Sequence, residues 1–284
     1  MIAITLDLPS ILRFFCASLI AIAAFSGLAR TARAQLYVSQ LGILTVSEYN
    51  ATTGAAINAR FIARLNTPSR LAVQGNTLFV ANESGSVGKY DAVTGAAINP
   101  SFITGRQFFP EGLAVQGNML FVANFVFGTV GEYDASTGEA IDANFVTAGF
   151  PSALALLGNR LFVLDASGFV REYNATTRVP INVNLIASLS APGALVAQGN
   201  TLFVASSGSS TVGKYDATTG AAINANFITG AGLPTALALL DNTLFVANQS
   251  GTVGKYDATT GAAINAKFIT GLQFPTGLAV KSAR

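Results

Sequence analysis

Two carboxylates interrupt an otherwise repetitive sequence, and with two amides they make the strongest case for chemistry in the chain. Glu111, in the stretch PEGLA, stands where equivalent stretches carry Ser69, Ser152, Gly193, Thr235 and Thr276. Asp165 stands where the others carry Gln40, Asn82, Asn124, Ser206 and Asn248. Carboxylate and amide oxygens of this kind suit a hard divalent cation such as calcium. A metal site built from Asn82, Glu111, Asn124 and Asp165 would be close to neutral with the ion bound; without it the carboxylates would repel and one pKa would rise. The competing reading is structural: a polar side chain ending an apolar strand caps the loop that follows, and Glu111 is simply solvated loop.

Other chemistries lack their residues. The chain has no histidine, which removes Ser-His-Asp and Cys-His nucleophiles and histidine-based zinc sites together. Gly208 to Lys214 fits the phosphate-loop spacing, but Tyr215 occupies the place of the magnesium-binding hydroxyl and the segment leads through a strand. The Asn-x-Ser/Thr triplets at Asn50, Asn82, Asn174 and Asn248 arise from the repeat itself.

The elements that must position Glu111 and Asp165 follow from that repeat. A tyrosine followed by Asp or Asn recurs at Tyr49, Tyr90, Tyr133, Tyr173, Tyr215 and Tyr256, spaced 41, 43, 40, 42 and 41 residues apart. Each unit carries four short apolar runs. In GLAVQGNMLFVAN, two are joined by Gly117-Asn118, a two-residue loop suited to the primed hairpin turns. In TVGEYDASTGEAIDANFV, the other two flank a turn where Asp134 bonds its own backbone and Gly138 takes the left-handed conformation. Four antiparallel strands per unit of about forty residues predict an all-β fold, a six-bladed β-propeller of four-stranded blades. Phe79, Phe121, Phe162, Phe203 and Phe245 are expected in the layers between blades. After residue 34 the chain enters LYVSQ, which matches a second strand, and it finishes in PTGLAV, which matches a first. The C-terminal strand is therefore expected to close the first blade.

Residues 1–34 read differently. Arg13, the apolar run Phe14 to Ala29 and Ala32-Arg33-Ala34 predict a secretory signal peptide removed before Gln35, with the propeller over 35–284. An uncleaved anchor is the other reading of the same run. Cys16, the sole cysteine, lies in this segment, so the exported chain would rely on its core and not on disulfides. Without Asp7, Arg13, Arg30 and Arg33 the charges balance, which leaves no basic footprint for nucleic acid.

The motifs P-x-G-L-A-V, L-F-V-A-N and G-x-V-x-K-Y-D resemble NHL-repeat propellers, a group that includes the gluconolactonase and calcium-dependent phosphotriesterase superfamily, and exported bacterial repeat proteins of unknown role. The resemblance implies a metal-binding glutamate before a glycine, as at Glu111. Y-D-A-x-T-G is also similar to quinoprotein blades, but the chain has no tryptophan to dock a quinone.

Two function classes follow. A secreted or extracytoplasmic, non-catalytic binding or scaffold propeller would use its loop face, as a monomer, for a protein, glycan or surface partner. A calcium-assisted hydrolase of lactone or phosphoester type would use the cation site. A purely structural envelope repeat would have no specific ligand. Blade four adds a further hint, since Arg171 replaces the glycine of Gly88, Gly131, Gly213 and Gly254, and Arg178 replaces the turn glycine. Such a blade is either a relaxed copy or a binding blade.

Overall fold

The structure, a computed structural model, describes residues 33–105 and 108–283. Residues 1–32 of the expected signal peptide lie outside those described. The rest forms six four-stranded antiparallel sheets, the predicted all-β six-bladed propeller. Blade 2 shows the plan: from the axis outward it runs Pro68–Gln74, Thr77–Asn82, Ser86–Asp91 and Ala97–Thr104. The innermost strands, Pro68–Gln74, Pro110–Gln116, Pro151–Leu157, Pro192–Gln198, Pro234–Leu240 and Pro275–Lys281, ring the axis in that order. The second strand, TLFVAN in blade 2, is buried on both faces, which accounts for its unbroken apolar run.

Ring closure takes the predicted form. Pro275–Lys281 pairs with Gln35–Gln40, placing Val280 opposite Leu36 and Leu278 opposite Val38. The first blade is thus built from both ends of the described chain, and Gln35–Gln40 has a strand on each side.

Between neighbouring blades lie apolar layers. The expected phenylalanines fill them: Phe79, Phe121, Phe162, Phe203 and Phe245 are all buried. Most stack on an aromatic of the outer strand, as Phe121 does on Phe145 with ring centres 5.1 Å apart. Each such ring removes its whole side chain from water, worth about 1.5–3 kcal/mol.

A polar clasp runs outside each of these layers. Lys89 Nζ donates to the Ala135 and Ser136 carbonyls of the next blade's turn at 2.9 and 3.0 Å, lying 4.6 Å from the Phe102 ring of its own blade. Lys214 repeats this on Ala258 and Thr259, and Lys255 carries it across the closure to Ala51 and Thr52. In blade 4 Arg160 takes over, reaching the Ala217 carbonyl at 2.6 Å, and in blade 1 the Tyr37 hydroxyl donates to the Ala92 carbonyl. The interface between blades 3 and 4 inverts the arrangement among the described residues. There blade 3 presents Glu132 and Asp142, and the cation is Arg178 from the turn of blade 4, bonded to Asp142.

The outer strands are blunted by the asparagine of AINA. Asn58 Oδ1 accepts the Arg60 amide at 3.0 Å within a bulge, and Asn99, Asp142, Asn182, Asn224 and Asn265 do the same in their blades. An amide engaged by its own strand cannot recruit a foreign one, so the bulge discourages edge pairing.

Candidate functional site

Inner strands begin, and second strands end, at the same rim of the ring. The candidate ligands Asn82, Glu111, Asn124 and Asp165 lie there, but the axis is lined by the inner strands alone. Gln40, Asn82, Asn124, Asp165, Ser206 and Asn248 are buried one strand further out. Three of the six serve the loops: Gln40 Oε1 accepts the Gln273 amide at 2.8 Å, Asn124 Oδ1 the Phe109 amide at 2.7 Å and Asp165 Oδ1 the Ser167 amide at 2.8 Å. Asn82 and Asn248 instead donate to Ser86 and Thr252.

The two carboxylates answer to different arginines. Asp165, fully buried, binds Arg171 Nη2 at 2.9 Å and Nε at 3.1 Å. Glu111 faces the axis, with Arg70 Nη2 3.8 Å away. Asn124 pairs with Pro110 across the hairpin, which keeps it at the same end as Glu111. Among the described residues, no three carboxylate, histidine or cysteine side chains come together as metal ligands.

Blade 4's departures also have local explanations. A Cβ on Gly254 would lie 2.5 Å from the ring of Tyr256 two residues on, so a glycine is needed wherever that ring folds back. With Arg171 at this place the Tyr173 hydroxyl lies toward the Thr147 carbonyl, 3.5 Å away, and the guanidinium neutralises Asp165. Arg178 sits at φ +67° where Gly138 and its equivalents stand. That conformation is costly for a side chain, and the ion pair to Asp142 offsets it.

The residue that dominates the mouth, Arg70, was not singled out from the sequence. It replaces the small residue of a column otherwise made of Gly112, Ala153, Ala194, Ala236 and Gly277, and that substitution was the available signal. Its guanidinium crosses the axis: Nη2 donates to the Gly193 carbonyl of the opposite blade at 2.6 Å, and Nη1 to the Thr276 carbonyl of blade 1. Below it the axial cavity is about 100 Å³, and among the described lining residues Arg70 alone is charged. Hydroxyls at the position of Glu111 stitch the same rim, Thr235 to the Pro275 carbonyl at 2.7 Å and Thr276 to the Pro68 carbonyl at 2.9 Å. A small polar substrate would find the channel stoppered.

Glu83, in the loop after the second strand of blade 2, completes the charge cluster. Burial raises the Glu111 pKa, with Arg70 opposing and Glu83 adding to the rise. Burial likewise raises Glu83, again opposed by Arg70. Two carboxylates thus share one guanidinium.

Around this mouth the loops expose large apolar side chains. Val126, Phe127 and Phe150 are 53 %, 43 % and 51 % exposed, and Phe150 stacks on Phe125 with ring centres 5.7 Å apart. Across the ring Ile43, Leu44, Leu233 and Phe274 are also exposed. Leu44, Leu233 and Phe274 hold φ of +53°, +60° and +49°, and Thr67 and Ala191, which like Leu233 and Phe274 precede an inner-strand proline, share that conformation, so it belongs to the repeated loop.

Comparison with known proteins places this geometry. Residues 104–261 match the protein family PQQ_2, described as outer membrane protein assembly factor BamB. No curated protein matches the chain. The chain is similar to a chain in the crystal structure of a nidogen/laminin complex at 13 % identity, with 88 % of this chain and 99 % of that one covered and a TM-score of 0.72. It is also similar to the computationally designed Ika8 protein at 19 % identity, with 86 % of this chain and 76 % of that one covered and a TM-score of 0.56. At these identities the two structures speak for the fold alone.

Proposed function

From the premise that this chain belongs to the BamB family, we propose that it is a non-catalytic protein-binding scaffold that docks its partner on the mouth face. The observation that carries the reading is the contrast on that face. The channel is stoppered by Arg70, whereas the loops around it expose Val126, Phe127, Phe150 and Phe274 to solvent. Exposed clusters of large apolar groups mark interaction sites, and aromatic side chains are enriched at the centres of protein interfaces. The family description, an outer membrane assembly factor, and the leader-like N-terminal run together support an extracytoplasmic setting. No helix of the described residues is long and apolar enough to cross a membrane.

The cation reading is the alternative. An ion held by Asn82, Glu111, Asn124 and Asp165 would have to displace Arg70 and Arg171 from the two carboxylates. The resemblance to gluconolactonase-type propellers remains an argument for testing it.

Docking is tested by site-specific photocrosslinking in the source cell. A photoreactive residue at Phe127 or Phe274 is expected to give a discrete adduct, and the same residue at Asn118 on the opposite face or at Ile223 on the outer strand none. Adducts of equal yield at all four positions would overturn the reading.

A further inference from the structure

The mouth face has a chemical polarity that narrows its partner. Neither Glu83 nor Glu111 accepts a side-chain hydrogen bond from the described residues: Glu111 has Arg70 at 3.8 Å, beyond hydrogen-bond reach, and Glu83 feels the same guanidinium at longer range. Arg70 meanwhile directs its Nη donors to the Gly193 and Thr276 carbonyls. Its remaining donor, Nε, has no partner among the described residues but is buried away from an incoming ligand. Within this cluster two partly desolvated carboxylates face one guanidinium and keep acceptors to spare, with Arg64 a further cation on the 63–67 loop next to that of Glu83.

This acidic patch is continuous with the aromatic ridge. The loop of Glu83 abuts the backbone of Phe108, since a Cβ on Gly85 would lie 3.3 Å from the Phe108 carbonyl. Phe109 accepts the Phe125 amide at 3.1 Å, and Phe125 stacks on Phe150. These contacts lead from the carboxylate loop of blade 2 to the phenylalanines of blades 3 and 4.

Building on the docking reading, we infer that the partner's docking segment is a protein strand or loop in which a lysine or arginine stands beside aromatic or aliphatic side chains. The cation meets Glu83 and Glu111, and the apolar anchors cover Phe127 and Phe150. Charge-assisted bonds to half-buried carboxylates are stronger than neutral ones, and complementary charge fixes the register of an apolar contact. An acidic segment would face two carboxylates and a guanidinium already committed elsewhere.

The test uses the full chain and three fluorescein-labelled dodecapeptides: one alternating Lys with Phe and Leu, its Lys-to-Glu counterpart, and its Phe/Leu-to-Ser counterpart. Fluorescence anisotropy should show binding of the first alone. E83Q/E111Q should weaken it about fivefold and F127S/F150S about tenfold, with melting curves of both variants close to wild type. Raising salt should weaken the wild type and leave E83Q/E111Q nearly unaffected. Equal binding of the acidic peptide, unchanged binding to E83Q/E111Q, or no binding of any peptide would overturn the inference. If the acidic peptide binds and F127S/F150S abolishes it, docking on this face survives and the basic chemistry falls. Loss of the Phe127 photocrosslink in cells removes the docking reading itself.

Discussion

Replacing Arg70 with alanine should open the channel mouth and loosen the ring across its axis. Two charge-assisted hydrogen bonds are lost, to Gly193 in the opposite blade and to Thr276 in blade 1. Such bonds are worth about 1.5–3 kcal/mol each, but the Arg70 side chain is 16 % exposed, so water can replace part of them. A net cost of about 2–3 kcal/mol is expected, or a fall in melting temperature of roughly 5–10 °C for a domain of this size. The loss should depend on pH. Glu83 and Glu111 already have raised pKa values, so their folded forms hold protons more tightly than the unfolded chain does. Their ionisation then reduces stability as pH rises above the ordinary carboxylate range. Removing the one cation that opposes this must widen the gap between R70A and wild type from pH 4 to pH 7.5. Urea titrations at both pH values, with E111Q added to R70A to restore part of the loss at pH 7.5, measure it. An R70A protein within about 0.5 kcal/mol of wild type at pH 7.5 would refute the reasoning.

Other perturbations separate the remaining contacts. R171G should cost about 3 kcal/mol, because it strands the fully buried Asp165 carboxylate, and D165N/R171G should recover most of it; denaturant titration of the three proteins decides this. K89M removes the clasp on Ala135 and Ser136 and should cost about 1–2 kcal/mol by thermal melting, while F121A, which empties a layer between blades, should cost about 3–5 kcal/mol. Melting curves in millimolar calcium and in chelator should coincide, since Arg171 is already bonded to Asp165 and Glu111 would be the one carboxylate left to meet the ion. A calcium-dependent rise abolished by E111Q/D165N would restore the cation site.

The fold was legible because a propeller repeats its physics. The turn glycine, the Tyr-Asp pair and the apolar second strand each do one local job, and that job recurs at a fixed period. Closure could also be read, since Leu36 to Gln40 and Pro275 to Val280 match complementary strands of one unit. The site was less legible. Glu111 and Asp165 stood out as departures from the repeat, yet their partners are set by geometry that the repeat conceals. Asp165 and Arg171 are six residues apart and meet because a hairpin folds them together. Arg70 meets Gly193 from the far side of the ring, a contact visible only once six blades are closed. The polar end of the second strand shows its register in the sequence, whereas its distance from the axis is set only by the closed ring. The clasp lysines show the same limit: Lys89, Lys214 and Lys255 precede the blade tyrosine and look like solvated charge until the next blade's turn is placed beside them.

Hydrogen–deuterium exchange with and without the crosslinked partner tests docking on the mouth face most directly. The account predicts protection over 41–44, 83–85, 125–128, 148–150 and 271–274, the loops that surround Arg70, with exchange unchanged in the turns 135–138 and 217–220 of the opposite face. Protection confined to those turns or to the outer strands, with the mouth loops exchanging as in the free protein, would contradict it.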